Sequence, residues 1–216
     1  MDTLIHDLRD ITIRSISVSE MDNNVYLLTA KASGAQLLID AADDLPAIQA
    51  MLQDAAADTA ATPKLMQIAT THQHWDHVRA LPALVHATGA RTSAGTDDAP
   101  ELPVNVDVLL DHGDVGNFDG FDVTSLHLRG HTPGSIAFVY QDPEGPAHIF
   151  SGDSLFPGGV GNTQKDPERF TSLLDDVTAR LFEAYPDDTV VHPGHGSPTT
   201  LGAERPHLDE WRVRGW

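Results

Sequence analysis

The chain of 216 residues contains no cysteine. That excludes disulfides, a thiolate nucleophile and sulfur ligands, so any bound metal has to be held by His, Asp, Glu or water. The absence also fits a reducing compartment. Basic residues are scarce: 13 Lys and Arg stand against 32 Asp and Glu, a net charge of −19. Such a field repels phosphodiester backbones and anionic membrane surfaces, which argues against nucleic acid and membrane partners. Most of the excess acid is read as serving solubility. No apolar stretch is long enough to span a bilayer, and Met1 to Asp10 lacks the basic start and apolar run of a secretory signal. A cytoplasmic location is therefore expected.

With 40% hydrophobic residues the chain can enclose a sizeable core, and a single domain over 1–216 is expected. The first forty residues alternate apolar and polar positions, as in Ile11-Thr12-Ile13-Arg14 and Val25-Tyr26-Leu27-Leu28, and end in Leu37-Leu38-Ile39. They predict three antiparallel strands. Asp44 as cap and Pro46 in the first turn predict a helix over Leu45 to Ala57, and Leu65 to Thr70 reads as a buried strand. A short helix is predicted over Leu81 to Thr88, closed by Gly89, which leaves His72 to Arg79 in a loop. Phe121 to Leu128, Ser135 to Gln141 and Ala147 to Phe150 read as strands separated by Gly and Pro turns. Asp166 caps the strongest helix, with Phe170, Leu173, Leu174, Val177 and Leu181 on one stripe. A last strand at Thr189 to Val191 and a short helix near Pro206 to Trp211 complete the pattern. Strands before helices in each half predict an α+β fold, a four-layer αββα sandwich with polar loops gathered at one edge.

Chemistry concentrates in those loops. Thr71-His72-Gln73-His74-Trp75-Asp76-His77 packs three imidazoles and a carboxylate just past a predicted strand. Residues two apart in an extended segment point the same way, so His72 and His74 can grip one ion while Asp76 and His77 turn toward a second. A chance cluster of histidines on a solvated loop is the competing reading, and the other turns weigh against it. His131 lies in the turn Gly130-His131-Thr132-Pro133-Gly134, whereas His127 faces a sheet surface. Asp153 follows a strand and is flanked by Gly152, which permits close backbone approach to an ion. A turn Asp capping Leu155 is the alternative. His195, between Gly194 and Gly196, is a further candidate, with His192 competing on chemistry alone. His6, His86, His112, His148 and His207 read as surface or packing residues.

Four motifs in this order resemble the metallo-β-lactamase superfamily: His72-x-His74-x-Asp76-His77, Gly130-His131-Thr132-Pro133-Gly134-Ser135, Ser151-Gly152-Asp153-Ser154-Leu155-Phe156 and Pro193-Gly194-His195-Gly196. The resemblance runs from Asp40 to Gly196 and is nearest to the glyoxalase II-like hydrolases. It implies two divalent metal ions, zinc first, with iron or manganese as alternatives. It implies His72, His74 and His131 on one ion, Asp76, His77 and His195 on the other, and Asp153 bridging. It also decides His195 over His192, and it makes Asp40 a carboxylate that fixes a ligand imidazole, with a helix-capping role as the alternative. The implied reaction is attack of a bridging hydroxide on the carbonyl of a small-molecule ester or thioester, with Asp76 orienting the nucleophile.

The bridging Asp153 argues against a true β-lactamase, and His74 stands where a flavodiiron oxidase would need Glu. A thioesterase, a lactonase and an iron-dependent persulfide dioxygenase using His72, His131 and Asp153 remain, and a non-enzymatic metal-binding module is disfavoured because no ligand is missing. Glyoxalase II relatives place a Lys or Arg nine residues after the bridging Asp, to meet a glutathione carboxylate. Here that position is Asn162, with Lys165 nearby, and Pro157-Gly158-Gly159 reads as a loop shaping the pocket. The chain also ends before the helical substrate domain of full-length glyoxalase II.

Overall fold

A computed structural model of the chain describes residues 3–215, so Met1, Asp2 and Trp216 lie outside the described residues, the first two of them in the polar N-terminal stretch. Seven strands build the first sheet in sequence order: β1 (Leu4–Asp7), β2 (Ile11–Val18), β3 (Asn23–Ala30), β4 (Ala35–Ile39), β5 (Lys64–Ala69), β6 (Arg91–Gly95) and β7 (Val108–Leu110). The second sheet uses β8 (Val115–Asn117), β9 (Asp122–His127), β10 (Ile136–Gln141), β11 (Ala147–Gly152), β14 (Val190–Pro193) and β15 (Thr199–Thr200), in the order β15-β14-β11-β10-β9-β8. A separate small hairpin is formed by β12 (Leu155–Phe156) and β13 (Gly159–Val160). Among the described residues, no helix is long and apolar enough to cross a membrane.

Three apolar layers account for the stacking. Ile11, Ile13, Leu28, Leu37 and Ile39 from the first sheet meet Phe138, Tyr140 and Phe150 from the second. On the outer face of the first sheet, Leu27, Leu38 and Ile68 pack with Ile48 and Met51 of α1 (Leu45–Asp54) and with Leu81 and Leu84 of α2 (Leu81–Thr88). On the outer face of the second, Ala137, Val139 and Ile149 pack with Phe170, Leu173, Leu174 and Val177 of α3 (Pro167–Val177). The result is the expected αββα sandwich.

The local signals explain the helices. Asp44 accepts from Ala47 N and starts α1, while Asp166 accepts from Glu168 N and Arg169 N and starts α3, each with Pro in the first turn. Gly89 at φ +67° ends α2. The stripe of α3 is fully buried at Leu173 and Leu174, so Leu173→Ala would cost about 2–5 kcal/mol. Several expectations are corrected. The helix predicted to Ala57 ends at Asp54 and tightens into a 3₁₀ turn over Ala55–Asp58. The stripe residue Leu181 lies beyond α3 in a π-helical turn, Thr178–Phe182. The C-terminal segment folds as α4 (Leu201–Glu204), a 3₁₀ turn and α5 (Leu208–Arg214). Of the strand read as buried over Leu65 to Thr70, only Ile68, Ala69 and Thr70 are buried, and the start of β5 projects Lys64 and Met66 to solvent. The first forty residues hold four strands rather than three, the extra one being β1.

This topology decides where the chemistry sits. β5, β9, β11 and β14 each end at one rim of the sandwich, and each runs on into a loop carrying a candidate ligand. The two sheets are stitched together there by Ile136 N donating to Thr71 O at 2.8 Å and by Asn24 N donating to Gly194 O at 2.8 Å.

Candidate metal centre

The loop after β5 delivers His72 and His74, and the turn after β9 delivers His131. Their donor atoms lie within 4.8 Å of one another, with ring centroids 4.5 to 4.8 Å apart. A 3₁₀ turn over Trp75–His77 reverses direction just after His74. It swings Asp76 and His77 toward His195 of the loop after β14, and these three form a second group within the same limit. Asp153, just beyond the end of β11, stands between the groups. Its Oδ2 is 3.5 Å from His131 Nε2 and 3.5 Å from His195 Nε2, and its Oδ1 is 3.5 Å from His77 Nε2. Gly194 permits this approach: a Cβ there would lie 2.3 Å from Asp153 Oδ1 and 2.8 Å from the His77 ring. His192 is not part of the centre; it is buried and stacked on Phe150, with centroids 4.9 Å apart.

Hydrogen bonds on the far side of the rings select one tautomer. His77 Nδ1 donates to Asp40 Oδ2 at 2.9 Å, His131 Nδ1 to the Asn162 carbonyl at 2.8 Å, and His195 Nδ1 to the Met21 carbonyl at 2.8 Å. The Thr71 hydroxyl donates to Asp40 Oδ2, so at 3.0 Å it accepts from His72 Nδ1. With Nδ1 engaged in this way, each of these rings turns Nε2 inward, the orientation that metal-bound imidazoles adopt. Asp40 also accepts from Thr71 N at 2.7 Å and holds φ +59°, a left-handed conformation. The capping alternative for Asp40 is taken by Asp44 instead.

The electrostatics call for positive charge. Burial lowers His72, His74 and His131 below the ordinary histidine value, His131 to about 4, so the first trio is neutral at pH 7. Burial raises the Asp153 and Asp76 carboxyls, but the hydrogen bond from His195 overrides it, joined at Asp76 by the bond from Asn23, and both lie below the usual range. Burial likewise lowers His195 and His77. Their carboxylate partners reverse it, and His195 is carried up to about 10.

The donor set fits metal ions by three observations. His72 Nε2, His131 Nε2 and Asp153 Oδ1 are buried with no hydrogen-bond partner, which is costly unless an ion takes them up. His77 Nε2 and His195 Nε2 face each other at 3.1 Å, so two lone pairs meet unless a proton or a cation lies between them. The donors are imidazole and carboxylate, a set suited to zinc, iron or manganese.

Some supporting residues carry no local sequence signal. Asn23 donates to Asp76 Oδ2 at 2.9 Å across 53 positions. Asp98, fully buried, accepts from Gln73 N, Thr132 Oγ1 and Gly134 N and so ties the His74 loop to the His131 turn. Among the remaining histidines, His86, His112 and His207 are exposed, His127 is half-buried on the Pro133 carbonyl, and His148 is buried. A cleft of about 640 Å³ opens beside the first trio, lined by Gln73, His74, Arg129, His131 and Arg169 among others.

The sequence and the fold both have known relatives. The model of the metallo-beta-lactamase superfamily covers residues 19–195. A hydroxyacylglutathione hydrolase of Cereibacter sphaeroides is 35% identical over 174 residues, 81% of this chain and 62% of the relative, so the chain spans about three-fifths of that protein's length. The crystal structure of ETHE1 from Myxococcus xanthus superposes with a TM-score of 0.77 at 28% identity, covering 93% of this chain and 84% of that one. TTHA1623, solved in a di-iron-bound form, gives a TM-score of 0.71 at 32% identity, covering 88% of this chain and 96% of that one. The chain that gathers these histidines and aspartates at one rim of its sandwich belongs to the metallo-beta-lactamase superfamily.

Proposed function

We propose that the chain is a binuclear metal-dependent hydrolase of a small ester or thioester. The carrying observation is the position of Asp153, with Oδ2 facing His131 and His195 and Oδ1 facing His77, all at 3.5 Å. A carboxylate so placed can be shared by an ion on His72, His74 and His131 and an ion on Asp76, His77 and His195. The hydroxyacylglutathione hydrolase and the di-iron form of TTHA1623 support the reading. Zinc is the first choice, with iron or manganese as alternatives.

When bound, such ions supply Lewis acidity, polarising a carbonyl and bringing a water's pKa toward neutrality. The protein does the rest. Asn23 donates to the Asp76 carboxylate and fixes it, so that it orients the attacking water and accepts hydrogen bonding from it. Asp40, Asn162 and Met21 hold the ligand rings in the tautomer that leaves Nε2 free. The cleft beside His74 and His131 receives the acyl group.

The polar groups near the cleft favour an uncharged acyl substrate. Asn162 accepts from Gln164 N at 2.7 Å through its side chain, so it closes a turn instead of meeting a ligand. Arg129 is paired with Asp176 at 2.8 Å, and Arg169 donates to the carbonyls of Gly130 and His131. A charge-assisted hydrogen bond to a substrate carboxylate is worth roughly 1.5–3 kcal/mol, or about ten- to over a hundredfold in affinity. A neutral thioester is therefore expected to compete well with S-lactoylglutathione. Turnover of a neutral thioester, a lactone and S-lactoylglutathione on one preparation tests this, and strong preference for S-lactoylglutathione defeats it. A second reading rests on His72, His131 and Asp153, whose donors approach within 3.5 to 4.0 Å and offer two imidazoles and one carboxylate to a single iron. Oxygen uptake on glutathione persulfide would move the protein into that dioxygenase class.

A further inference from the structure

Away from the rim, three more imidazoles converge between the sheets: His6 of β1, His148 of β11 and His192 of β14. Their donor atoms lie within 4.8 Å of one another, the same limit that encloses His72, His74 and His131. His148 Nδ1 and His192 Nε2 are 3.1 Å apart, equal to the separation of His77 Nε2 and His195 Nε2 in the metal centre. Two nitrogens at about 2.0–2.1 Å from one tetrahedral ion lie roughly 3.3 Å apart, so little movement is needed. The His148 and His192 rings are parallel within 11°, and His6 meets both edge-on, at 4.5 and 5.4 Å between centroids.

The backbone is bent to bring His6 there. Leu4 pairs with Arg14 but His6 pairs with Ile13, so a bulge at Ile5 inserts an extra residue into β1. Without it, His6 would oppose Thr12 and face outward while Ile5 entered the core. With it, Ile5 is left 42% exposed and an imidazole stands beside the inter-sheet layer. Exchanging a buried isoleucine for a buried histidine loses apolar burial, and bulges of this kind serve to re-aim a side chain. His148 turns Nδ1 toward His192, while its other ring nitrogen, Nε2, and the hydroxyl of its cross-strand neighbour Tyr140 are buried without hydrogen-bond partners.

We propose that His6, His148 and His192 form a further metal site, separate from the rim centre, that takes a divalent borderline ion such as zinc and ties β1 of the first sheet to β11 and β14 of the second. The ligands are ready for it. Burial lowers all three imidazoles, His148 to about 4, so they are neutral at pH 7 and bind an ion without first losing a proton. The buried Asp142 carboxylate acts on His148 and offsets part of an ion's charge. His6 is half-buried, which gives the site its access to solvent.

The site is independent of the hydrolase reading and is tested apart from it. Equilibrium dialysis of the full chain against zinc, followed by elemental analysis, is run on the wild type and on His6→Phe, which keeps a ring in place without a donor. The same pair is repeated in the Asp153→Ala background. One ion fewer per chain in His6→Phe is expected in both backgrounds, with cobalt(II) visible absorption reduced in parallel. Zinc should also raise the melting temperature of the Asp153→Ala chain more than that of the same chain carrying His6→Phe. Equal ion content and equal thermal response with and without His6 would overturn the site, whatever the rim centre does.

Discussion

Replacing Asp40 by Asn tests the alignment of a ligand ring at its supporting carboxylate. Asp40 sits at φ +59°, a conformation Asn adopts as readily as Asp, so the change adds no backbone strain. The carboxylate accepts from Thr71 N at 2.7 Å on Oδ1, and from Thr71 Oγ1 at 2.7 Å and His77 Nδ1 at 2.9 Å on Oδ2. Asn has a single acceptor oxygen. If that oxygen keeps Thr71 N, the new amide N–H₂ faces the His77 Nδ1–H, donor against donor. His77 relieves this by moving its proton to Nε2, the atom that must ligate. If the oxygen instead keeps His77, the buried Thr71 amide loses its acceptor at a cost of about 1–3 kcal/mol. Loss of such a supporting partner weakens metal affinity roughly 10- to 100-fold, or about 1.4–2.7 kcal/mol. Competition titration with a chromophoric chelator reads that shift, and circular dichroism checks the fold. A folded Asp40→Asn protein with wild-type affinity for every ion would refute the tautomer argument.

Asp98→Ala removes the acceptor shared by Gln73 N and Gly134 N. It should lower the melting temperature and weaken the ion on His72, His74 and His131 before the one on His77 and His195; no change in either measure would remove Asp98 as the tie between the loops. His195→Ala should lower the ion content of the rim centre, whereas His192→Ala should leave that centre loaded while lowering thermal stability through lost packing on Phe150; equal loss of rim ions in both would contradict the assignment. Burial raises the Asp58 carboxyl, but hydrogen bonds from Arg14 and Thr12 outweigh it and hold the group below the usual range. A depressed folded value gives stability that is present above the unfolded value, roughly 3.9, and is lost as pH falls through the folded one. The urea midpoint should therefore drop below about pH 4, and Asp58→Asn should flatten that drop; an unchanged profile in the variant would disprove it.

The legible parts of the chain were those whose signal is local. His72 to His77, the turn around His131, and the helix starts at Asp44 and Asp166 each carry their evidence within a few residues, and the helix over Leu81–Thr88 is observed with the bounds expected. What stayed hidden depends on distant partners. Asn23 and Asp98 are ordinary polar residues until the sheets bring Asp76 and Gly134 to them. The strand Arg91–Gly95 has no apolar alternation, since Thr92, Ser93 and Ala94 are buried by neighbours on both sides. The bulge at Ile5 is a matter of pairing with β2, and no spacing in Leu4-Ile5-His6-Asp7 announces it. His192 lies within β14 and His195 in the loop beyond it, and the resemblance, not the spacing, chose between them.

The central claim is a rim centre that needs two ions to hydrolyse, and it is tested most directly by titrating metal back into the chelator-stripped His6→Phe protein while following hydrolysis of a neutral thioester. The His6 substitution keeps the inter-sheet histidines from adding to the count. The account predicts that activity stays low through the first equivalent and reaches its plateau at two, and that Asp153→Ala abolishes turnover in a folded chain. Full activity at one equivalent, or full activity retained by Asp153→Ala, would contradict it.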